Sequence, residues 1–369
     1  MNLHSDVLSR SEPLPFTDGS NNPVNDPILL KQIVDAPNIT LKEHIRDEKL
    51  FLEFCPAGGD WIHIEMPTVW RVFFTLQIKR LEGRPKDALD GERYTTDFEG
   101  HRMRVQLINT RNGWSLALRK INPVISSLMD LHIDPRDIIP NILPAGLHLI
   151  GGRNGGGKTS SLIGIFEKIP EHMRGKTLDI GDPIEYILDQ PLVDQRQVGE
   201  DVSSAQVALF EAVRGFYNTV IIGEIRDGYT AREAVLAGQS GALVLATIHA
   251  NSIRSMIGRM ETFLHDVGEG TGLLPHVLSF CMCQYLVNVD SPSSPSGRKQ
   301  LPVYETLKMT PGVVKQLEGG SENLQNFANI QAGQKDIRFV DSLNKHRLNG
   351  SITESEFHEN KKFFEQVAS

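Results

Sequence analysis

The chain has 369 residues, a length that suggests two domains or one large one. Hydrophobic residues make up 40% and charged residues 23%, proportions typical of a soluble globular protein. Three cysteines are too few for a disulfide framework. The net charge of −8 argues against stable nucleic-acid binding, because such proteins neutralise phosphates with Lys and Arg. No uninterrupted apolar run reaches about 18 residues, so we expect no membrane span and a cytoplasmic location.

The N-terminal third of the chain is predicted to be a small α+β domain after a flexible lead-in. Residues 1–27 are rich in Pro, Asn, Ser and Asp, a composition typical of poorly ordered termini. Residues 28–46 have the apolar spacing of a helix. Polar and apolar residues then alternate as they do in half-buried strands, at 61–65, 102–108 and 114–121. We therefore assign 28–121 to the N-terminal domain.

The rest of the chain has the pattern of an α/β domain. Residues 122–144 contain four prolines and are interpreted as a linker. From residue 145, continuous apolar runs alternate with helical patterns, which predicts a parallel sheet covered on both faces, followed by a helical tail to 369. The apolar runs lie at 147–150, 177–180, 219–222 and 243–248. Cys281 and Cys283 fall in an apolar run interpreted as a helix, where they belong to the core rather than to a metal site.

A phosphate-binding loop is the strongest motif in the sequence. Residues 152–159 fit the pattern G-x-x-x-x-G-K-[ST], with an apolar strand before them and a helical pattern after them. Glycines let backbone N–H groups close around phosphate oxygens, and the helix N-terminus adds a positive dipole. Lys158 is expected to reach the β- and γ-phosphates, and the Thr159 hydroxyl to coordinate Mg²⁺. The predicted nucleotide-binding residues are Gly152, Arg153, Asn154, Gly155, Gly156, Gly157, Lys158, Thr159 and Ser160.

Hydrolysis also needs a carboxylate that positions water and helps to hold the metal, and such groups follow two later strands. Glu224 ends the apolar run 220–223, where α/β sheets place their ligands. Glu185 follows a strand and a Pro-containing turn, a position equally consistent with an exposed acidic turn. His249 ends a third strand and is either a structural histidine or a sensor of the nucleotide.

Four segments follow one another in the chain: the phosphate loop 152–159, Asp-Pro-Ile-Glu at 182–185, Gly-Glu-Ile-Arg-Asp at 223–227 and Thr-Ile-His at 247–249. Their order and separation resemble those of the PilT/GspE superfamily of secretion and pilus ATPases. The chain length and the C-terminal run 341–353 also resemble those of its DotB/TraJ type. The resemblance implies an α/β fold in which a RecA-like P-loop domain with a parallel sheet follows an α+β PAS-like domain. It also implies ATP and Mg²⁺ as cofactors and a homo-hexameric ring.

The resemblance assigns roles to individual residues. Glu185 would be the general base or orient the attacking water, and Glu224 would coordinate Mg²⁺ through water beside Thr159. His249 would belong to the family's histidine segment. Three arginines, Arg104, Arg119 and Arg214, would stabilise charge on the phosphates. Arg104 and Arg119 are equally consistent with a solvated strand face. The sequence departs from the family pattern at Phe210, where a second arginine is expected, and at Ala242, where a histidine is expected.

The resemblance implies a ring ATPase that powers a type IV secretion or plasmid conjugal transfer apparatus through inner-membrane platform proteins. Two alternatives within the family remain open, a pilus retraction motor of the PilT kind and a nucleotide-gated ring component with little hydrolysis. A helicase-like nucleic-acid motor would share the RecA-like core, but the negative charge and the absence of a basic aromatic stripe disfavour it.

Overall fold

A computed structural model describes most of the chain and divides it into two compact units, Met1–Ile121 and Asn122–Ser369. The described residues are 33, 36, 38–44, 49–55, 61–80, 93–98, 100–111, 113–121, 124–290, 298–318, 320–321 and 327–367. The predicted lead-in, residues 1–27, lies outside them. Among the described residues, no helix is both long and apolar enough to cross a membrane.

The first unit is built on a six-stranded antiparallel sheet with strand order β3-β2-β1-β6-β5-β4. A 13-residue helix, α1 (Thr68–Arg80), follows the third strand. The strands are β1 (Asn38–His44), β2 (Lys49–Cys55), β3 (Ile62–Glu65), β4 (Arg93–Phe98), β5 (His101–Thr110) and β6 (Gly113–Lys120). Alternate side chains of β5 are buried in one cluster with aromatic side chains of α1, so the sheet has one covered face. This unit is α+β, as the sequence predicts.

The helix predicted for residues 28–46 is wrong over 38–44, which form strand β1. This strand lies between β2 and β6 and pairs antiparallel with both. Ile39 and Leu41 are buried and the intervening Thr40 is half-buried, a period of two residues rather than 3.6. The short segment contained too few apolar positions to distinguish the two periods from sequence.

The second unit contains a seven-stranded sheet, with helices packed on its faces. Its strands are β7 (Gly146–Gly152), β8 (Thr177–Gly181), β9 (Val193–Gln197), β10 (Thr219–Ile225), β11 (Leu243–His249), β12 (Leu278–Asp290) and β13 (Arg298–Lys308). Its first helices are α2 (Pro135–Ile138), α3 (Lys158–Lys168), α4 (Glu171–Arg174), α5 (Ala205–Arg214), α6 (Gly228–Gln239) and α7 (Ile253–Asp266). They are followed by α8 (Leu274–Val277), α9 (Pro311–Leu317), α10 (Phe327–Gln334), α11 (Phe339–Leu348) and α12 (Glu354–Val367).

The strand order of this sheet is β13-β12-β7-β11-β10-β8-β9, and every neighbouring pair except β12–β13 is parallel. The interior strand β7 is buried along its whole length, as expected for a strand covered on both faces. Clusters of buried side chains line the two faces of the sheet. The predicted α/β fold with a RecA-like parallel sheet is therefore confirmed.

Two segments of the second unit differ from their sequence interpretation. Cys281 and Cys283 lie in strand β12 and not in a helix. The first eight residues of that strand are all buried, and such a continuous apolar run has no periodicity that separates a strand from a buried helix. Residues 124–144 are not a bare linker, because Leu128 and Ile138 are buried in the cluster that contains Phe166 of α3.

Candidate nucleotide site

The loop between β7 and α3 has the shape of a phosphate cradle. Gly155 and Gly157 have φ values of +71° and +76°, a left-handed conformation that glycine adopts without strain. A Cβ on Gly156 would lie 2.9 Å from the backbone oxygen of Arg153. Gly155 and its neighbour Asn154 are exposed. The loop therefore requires glycine where the backbone turns, and its outer edge is open to solvent.

The first turn of α3 is available to an anion. Gly157 is the N-cap residue and contributes no side-chain hydrogen bond, so it does not compete for the helix's N-terminal N–H groups. The buried Lys158 donates hydrogen bonds from Nζ to the backbone oxygens of Gly152 and Arg153, both at 3.2 Å. These carbonyl bonds hold the ammonium at the cradle. The donor set fits a phosphate chain.

Lys158 lies within electrostatic reach of both predicted carboxylates. Burial lowers the pKa of the Lys158 ammonium, while the negative charges of Glu224 and Glu185 oppose that shift. The positive charge of Arg226 reinforces it. The charges of the two acidic side chains that the sequence predicts after β8 and near the end of β10 therefore act on the phosphate-loop lysine. Such a cluster of charges in one site is typical of a functional centre.

Glu224 is presented by a local irregularity in β10. The pairing of β10 with β11 is in register through Ile222 and resumes with a shift at Ile225, so Gly223 and Glu224 form a bulge. Bulges re-aim side chains and are common beside active sites. Thr247 of β11 donates a hydrogen bond to the Gly223 backbone oxygen, which fixes the bulge from the neighbouring strand.

An arginine that sequence reasoning did not select joins the two acidic segments. Arg226 Nε donates to Glu224 Oε2 at 2.7 Å, and Arg226 Nη1 donates to Asp182 Oδ2 at 2.6 Å. Burial lowers the pKa of the Arg226 guanidinium, but the bonds and charges of Glu224 and Asp182 outweigh it and raise that pKa. Arg226 therefore stays charged and holds both carboxylates.

The segment that carries Glu185 is fastened to α3 and to β9. Tyr186 and Ser160 share a hydrogen bond of 2.6 Å between their hydroxyl oxygens. Gln195 Nε2 donates to the Tyr186 backbone oxygen at 2.8 Å, and Gln197 Oε1 accepts from the Ile184 N–H at 3.2 Å. The Ser160 hydroxyl, predicted to bind nucleotide, is thus bonded to Tyr186. This bond links the phosphate loop's helix to the Glu185 segment.

His249 is the last residue of β11, and Arg153 lies in the phosphate loop itself. His249 is half-buried at the end of β11, and burial together with the charges of Lys158 and Arg259 lowers its pKa. The Arg153 guanidinium donates from Nε to Asn251 Oδ1 at 3.2 Å and lies 5.1 Å from the centre of the Tyr285 ring. His249 is therefore near Lys158, while Arg153 is directed toward Asn251 and Tyr285.

The three predicted arginines are not all in the second unit. Arg104 and Arg119 are direct partners in the antiparallel pair β5–β6 of the first unit, so they share one face of that sheet. The buried Met103 and Val105 point to the other face. A role for Arg104 and Arg119 on a nucleotide stays a prediction.

Arg214 lies at the sheet edge opposite the phosphate loop. It ends α5, which begins after the carboxyl end of β9 and runs back to the start of β10. The phosphate loop follows the carboxyl end of β7, which is on the other edge. The Arg214 guanidinium lies 3.5 Å from the centre of the Phe210 ring, the residue that stands where the family pattern has an arginine. The structure therefore does not join Arg214 to the loop of its own chain.

Gln284 is a second residue that the sequence did not reveal. It lies on β12 opposite Gly152 of β7, is buried, and donates a hydrogen bond from Nε2 to the Gly156 backbone oxygen. Its Oε1 atom is buried without a hydrogen-bond partner. No motif marked Gln284. Arg226 belongs to the segment Gly-Glu-Ile-Arg-Asp at 223–227, but its bond to Asp182 depends on which strands become neighbours.

The residues present fit a P-loop magnesium site rather than an all-protein cage. No cluster of three or more His, Cys, Asp or Glu side chains that could hold a metal occurs among the described residues. Mg²⁺ in such sites uses one or two side chains, water and substrate phosphates. Thr159 at the helix start and Glu224 near Lys158 would supply those protein contacts.

Comparison with known proteins agrees with this geometry. The family model for type II/IV secretion system proteins matches residues 90–340, more than half of the chain. The type IV pilus ATPase PilU of Pseudomonas aeruginosa is 32% identical over 220 residues, which are 57% of this chain and 55% of PilU. The chain spans about half the length of the curated relatives it matches.

Two solved structures share the fold. The pilus retraction motor PilT with bound ADP has a TM-score of 0.67 at 22% identity, over 90% of this chain and 95% of PilT. The ATPase DotB of Legionella pneumophila has a TM-score of 0.68 at 18% identity, over 95% of this chain and 97% of DotB. With the family match over most of the sequence, the chain belongs to the type II/IV secretion system protein family, within the PilT/GspE superfamily.

Proposed function

We propose that this chain is an Mg²⁺-dependent ATPase that assembles as a homo-hexameric ring and powers a membrane-associated secretion apparatus. The observation that carries the proposal is the glycine-turned phosphate loop with the buried Lys158 held at its base, on which the charges of Glu224 and Glu185 act. The named relatives support it, since PilU is an ATPase and PilT was solved with ADP. The proposed site of action is the cytoplasm, where inner-membrane platform proteins would be its partners.

Different residues of the chain would bind the phosphates, hold the metal and orient the water. The loop N–H groups and Lys158 would bind the phosphates and neutralise charge that develops during transfer. Mg²⁺, when bound, would polarise the phosphates, held by Thr159 and, through water, by Glu224. Glu185 would orient the attacking water and accept its proton. Arginines supplied by the first unit or by another copy would stabilise the remaining charge.

Turnover of Lys158→Ala tests the proposal. We expect phosphate release by the wild-type chain with Mg²⁺ and ATP, and a loss of at least about 100-fold in the variant, because removing a positioned cation from a phosphoryl-transfer site costs that order. Lys168→Ala is the matched control, since Lys168 is exposed at the other end of α3. Equal turnover in all three proteins, or none in the wild type, would contradict the proposal.

We further propose a type IV secretion or conjugal transfer apparatus of the DotB/TraJ type as the machine that is served. The chain length and the C-terminal run 341–353, which resemble those of the DotB/TraJ type, support this choice, while the fold is shared with DotB and PilT alike. The identity with PilU favours the second candidate, a type IV pilus motor. Deleting the gene and measuring DNA or effector transfer beside twitching motility separates the two. Loss of twitching with normal transfer would overturn the first choice.

A further inference from the structure

Arg226 lies between the two acidic segments but has no role in the proposed hydrolysis. It lies one residue beyond β10, and its guanidinium binds Glu224 with Nε and Asp182 with Nη1. Each bond joins it to a different strand end, because Glu224 belongs to β10 and Asp182 follows β8. A single planar group with donors in a fixed fork therefore sets the distance between the two acidic segments.

Arg226 constrains the side chain of Glu224 and the segment that begins at Asp182, each in a different way. Glu224 stands in the β10 bulge, where the strand pairing on either side does not fix its side chain, so the bond to Arg226 supplies the missing constraint. Asp182 begins the segment Asp182–Glu185, whose last residue is the proposed water-orienting group. Through Asp182, Arg226 holds the start of that segment at β10.

The bond to Glu224 leaves the carboxylate able to serve a metal. Arg226 binds Oε2, and a carboxylate has two oxygens that can accept several hydrogen bonds or ligands. Groups that orient a metal's protein ligands from behind are worth about 10–100-fold in metal affinity or activity. Arg226 is placed as such a group for Glu224.

We propose that Arg226 is a positioning residue for Mg²⁺–ATP. It holds Glu224 toward a water of the metal, and it keeps the Asp182–Glu185 segment at a fixed position relative to Glu224. This inference rests on the proposed function. It assigns Arg226 no contact with the nucleotide. It predicts that the fork shape of the side chain matters as well as its charge, since an ammonium can pair with one carboxylate but does not bridge two at fixed spacing.

The test measures binding as well as turnover. A fluorescent ATP analogue is titrated with Mg²⁺ in the wild type, Arg226→Gln and Arg226→Lys. We expect the half-saturating Mg²⁺ concentration to rise about tenfold in Arg226→Gln and less in Arg226→Lys. Analogue affinity without Mg²⁺ should change less than about threefold, because the phosphate loop is untouched. Turnover should fall about 30-fold in Arg226→Gln, mainly in kcat.

A matched control and a double variant separate positioning from general stability. Arg232 on α6 is a matched control, because it has 40% exposure against 39% for Arg226 and also binds two carboxylates, Glu233 and Glu269. Since neither of these is Glu224 or Asp182, Arg232→Gln should leave Mg²⁺ dependence and turnover unchanged. In a Glu224→Gln background, adding Arg226→Gln should cause little further change in Mg²⁺ dependence, since the group to be positioned is already altered.

Three results would overturn the inference. The first is wild-type Mg²⁺ dependence in Arg226→Gln. The second is an equal loss of Mg²⁺-free analogue binding, which would mean a structural role only. The third is full additivity of Arg226→Gln and Glu224→Gln. A wild-type chain that binds the analogue but releases no phosphate would contradict the proposed function instead, while the Mg²⁺ titration would still decide the role of Arg226.

Discussion

Gln284 supports the phosphate loop through one hydrogen bond to the Gly156 backbone oxygen. A Cβ on Gly157 would lie 3.1 Å from Gln284 Nε2, so the amide packs directly against the loop. Gln284→Leu leaves the Gly156 oxygen without its partner, at a cost of about 1–3 kcal/mol. We expect this cost to appear as roughly tenfold weaker binding of an ATP analogue, measured by fluorescence titration.

Gln300→Leu is the control for this substitution, because Gln300 is exposed on the neighbouring strand β13. It should bind the analogue as the wild type does. Wild-type affinity in Gln284→Leu would show that the loop holds its shape without the amide. Increased affinity would show that the buried, unpaired Oε1 atom of Gln284 hinders the bound state.

Single residues were predictable from the sequence when their role depends on local spacing. The phosphate loop, Glu224 and Glu185 follow directly from strand ends, and the charges of both carboxylates act on Lys158. The Arg226–Asp182 bond and the role of Gln284 were not predictable, because these partners are distant in sequence. Arg226 meets Asp182 only once β10 and β8 are neighbours, and Gln284 meets the loop only once β12 pairs with β7.

At the scale of elements, a buried carboxylate ties three parts of the second unit together. Glu305 on β13 is 2% exposed, and its Oε1 accepts a hydrogen bond of 2.7 Å from the Ile253 N–H at the start of α7. Its Oε2 lies 3.4 Å from the donor Nε2 of Gln331 on α10. Burial raises the pKa of Glu305 to about 7, against the lowering effect of these hydrogen bonds.

This shift predicts the sign of a pH effect on stability. The pKa rises from 4.5 in the unfolded chain to about 7 in the folded one, so the folded state retains a proton across that window. The free energy of unfolding therefore decreases as pH rises from about 4.5 to 7, by up to about 3 kcal/mol, and levels off above it. Urea unfolding followed by circular dichroism across this range measures the effect.

Glu305→Gln should flatten the dependence, because the amide does not titrate and can still accept from Ile253. A smaller decrease would remain, since burial also raises the pKa of Asp179 and of Asp336 to about 6. Glu359→Gln, an exposed change on α12, should keep the full decrease. If Glu305→Gln and the wild type lose equal stability between pH 4.5 and 7, Glu305 does not carry the effect.

The elements themselves were predictable in proportion to their periodicity. The strands β7, β8, β10 and β11 came from short apolar runs separated by helical patterns, which few folds other than a parallel sheet produce. The hairpin β12–β13 did not, because β12 is buried on both faces and its apolar run is as long as a helix. The pairing of β12 with β7 and β13, rather than a pattern in its own sequence, makes this segment a strand.

At the scale of the whole molecule, the position of Arg214 determines whether it can act on the nucleotide of its own chain or on that of another copy. The ten-residue helix α5 spans about 15 Å and places Arg214 at the edge of the sheet away from the phosphate loop. If Arg214 contributes to hydrolysis, as the family resemblance implies, it must act on another copy. Heterologous contacts that close into a ring bring such opposite faces together.

Mixing two inactive variants tests this arrangement. Arg214→Ala keeps an intact phosphate loop, and Lys158→Ala keeps an intact Arg214, so a ring containing both has some complete sites at their contacts. Random mixing in equal amounts gives complete sites at about one contact in four, and we expect turnover to recover toward that fraction of the wild-type value. The double variant mixed with Arg214→Ala should restore nothing. Full activity of Arg214→Ala alone, or no recovery in mixtures that assemble normally, would remove Arg214 from the site.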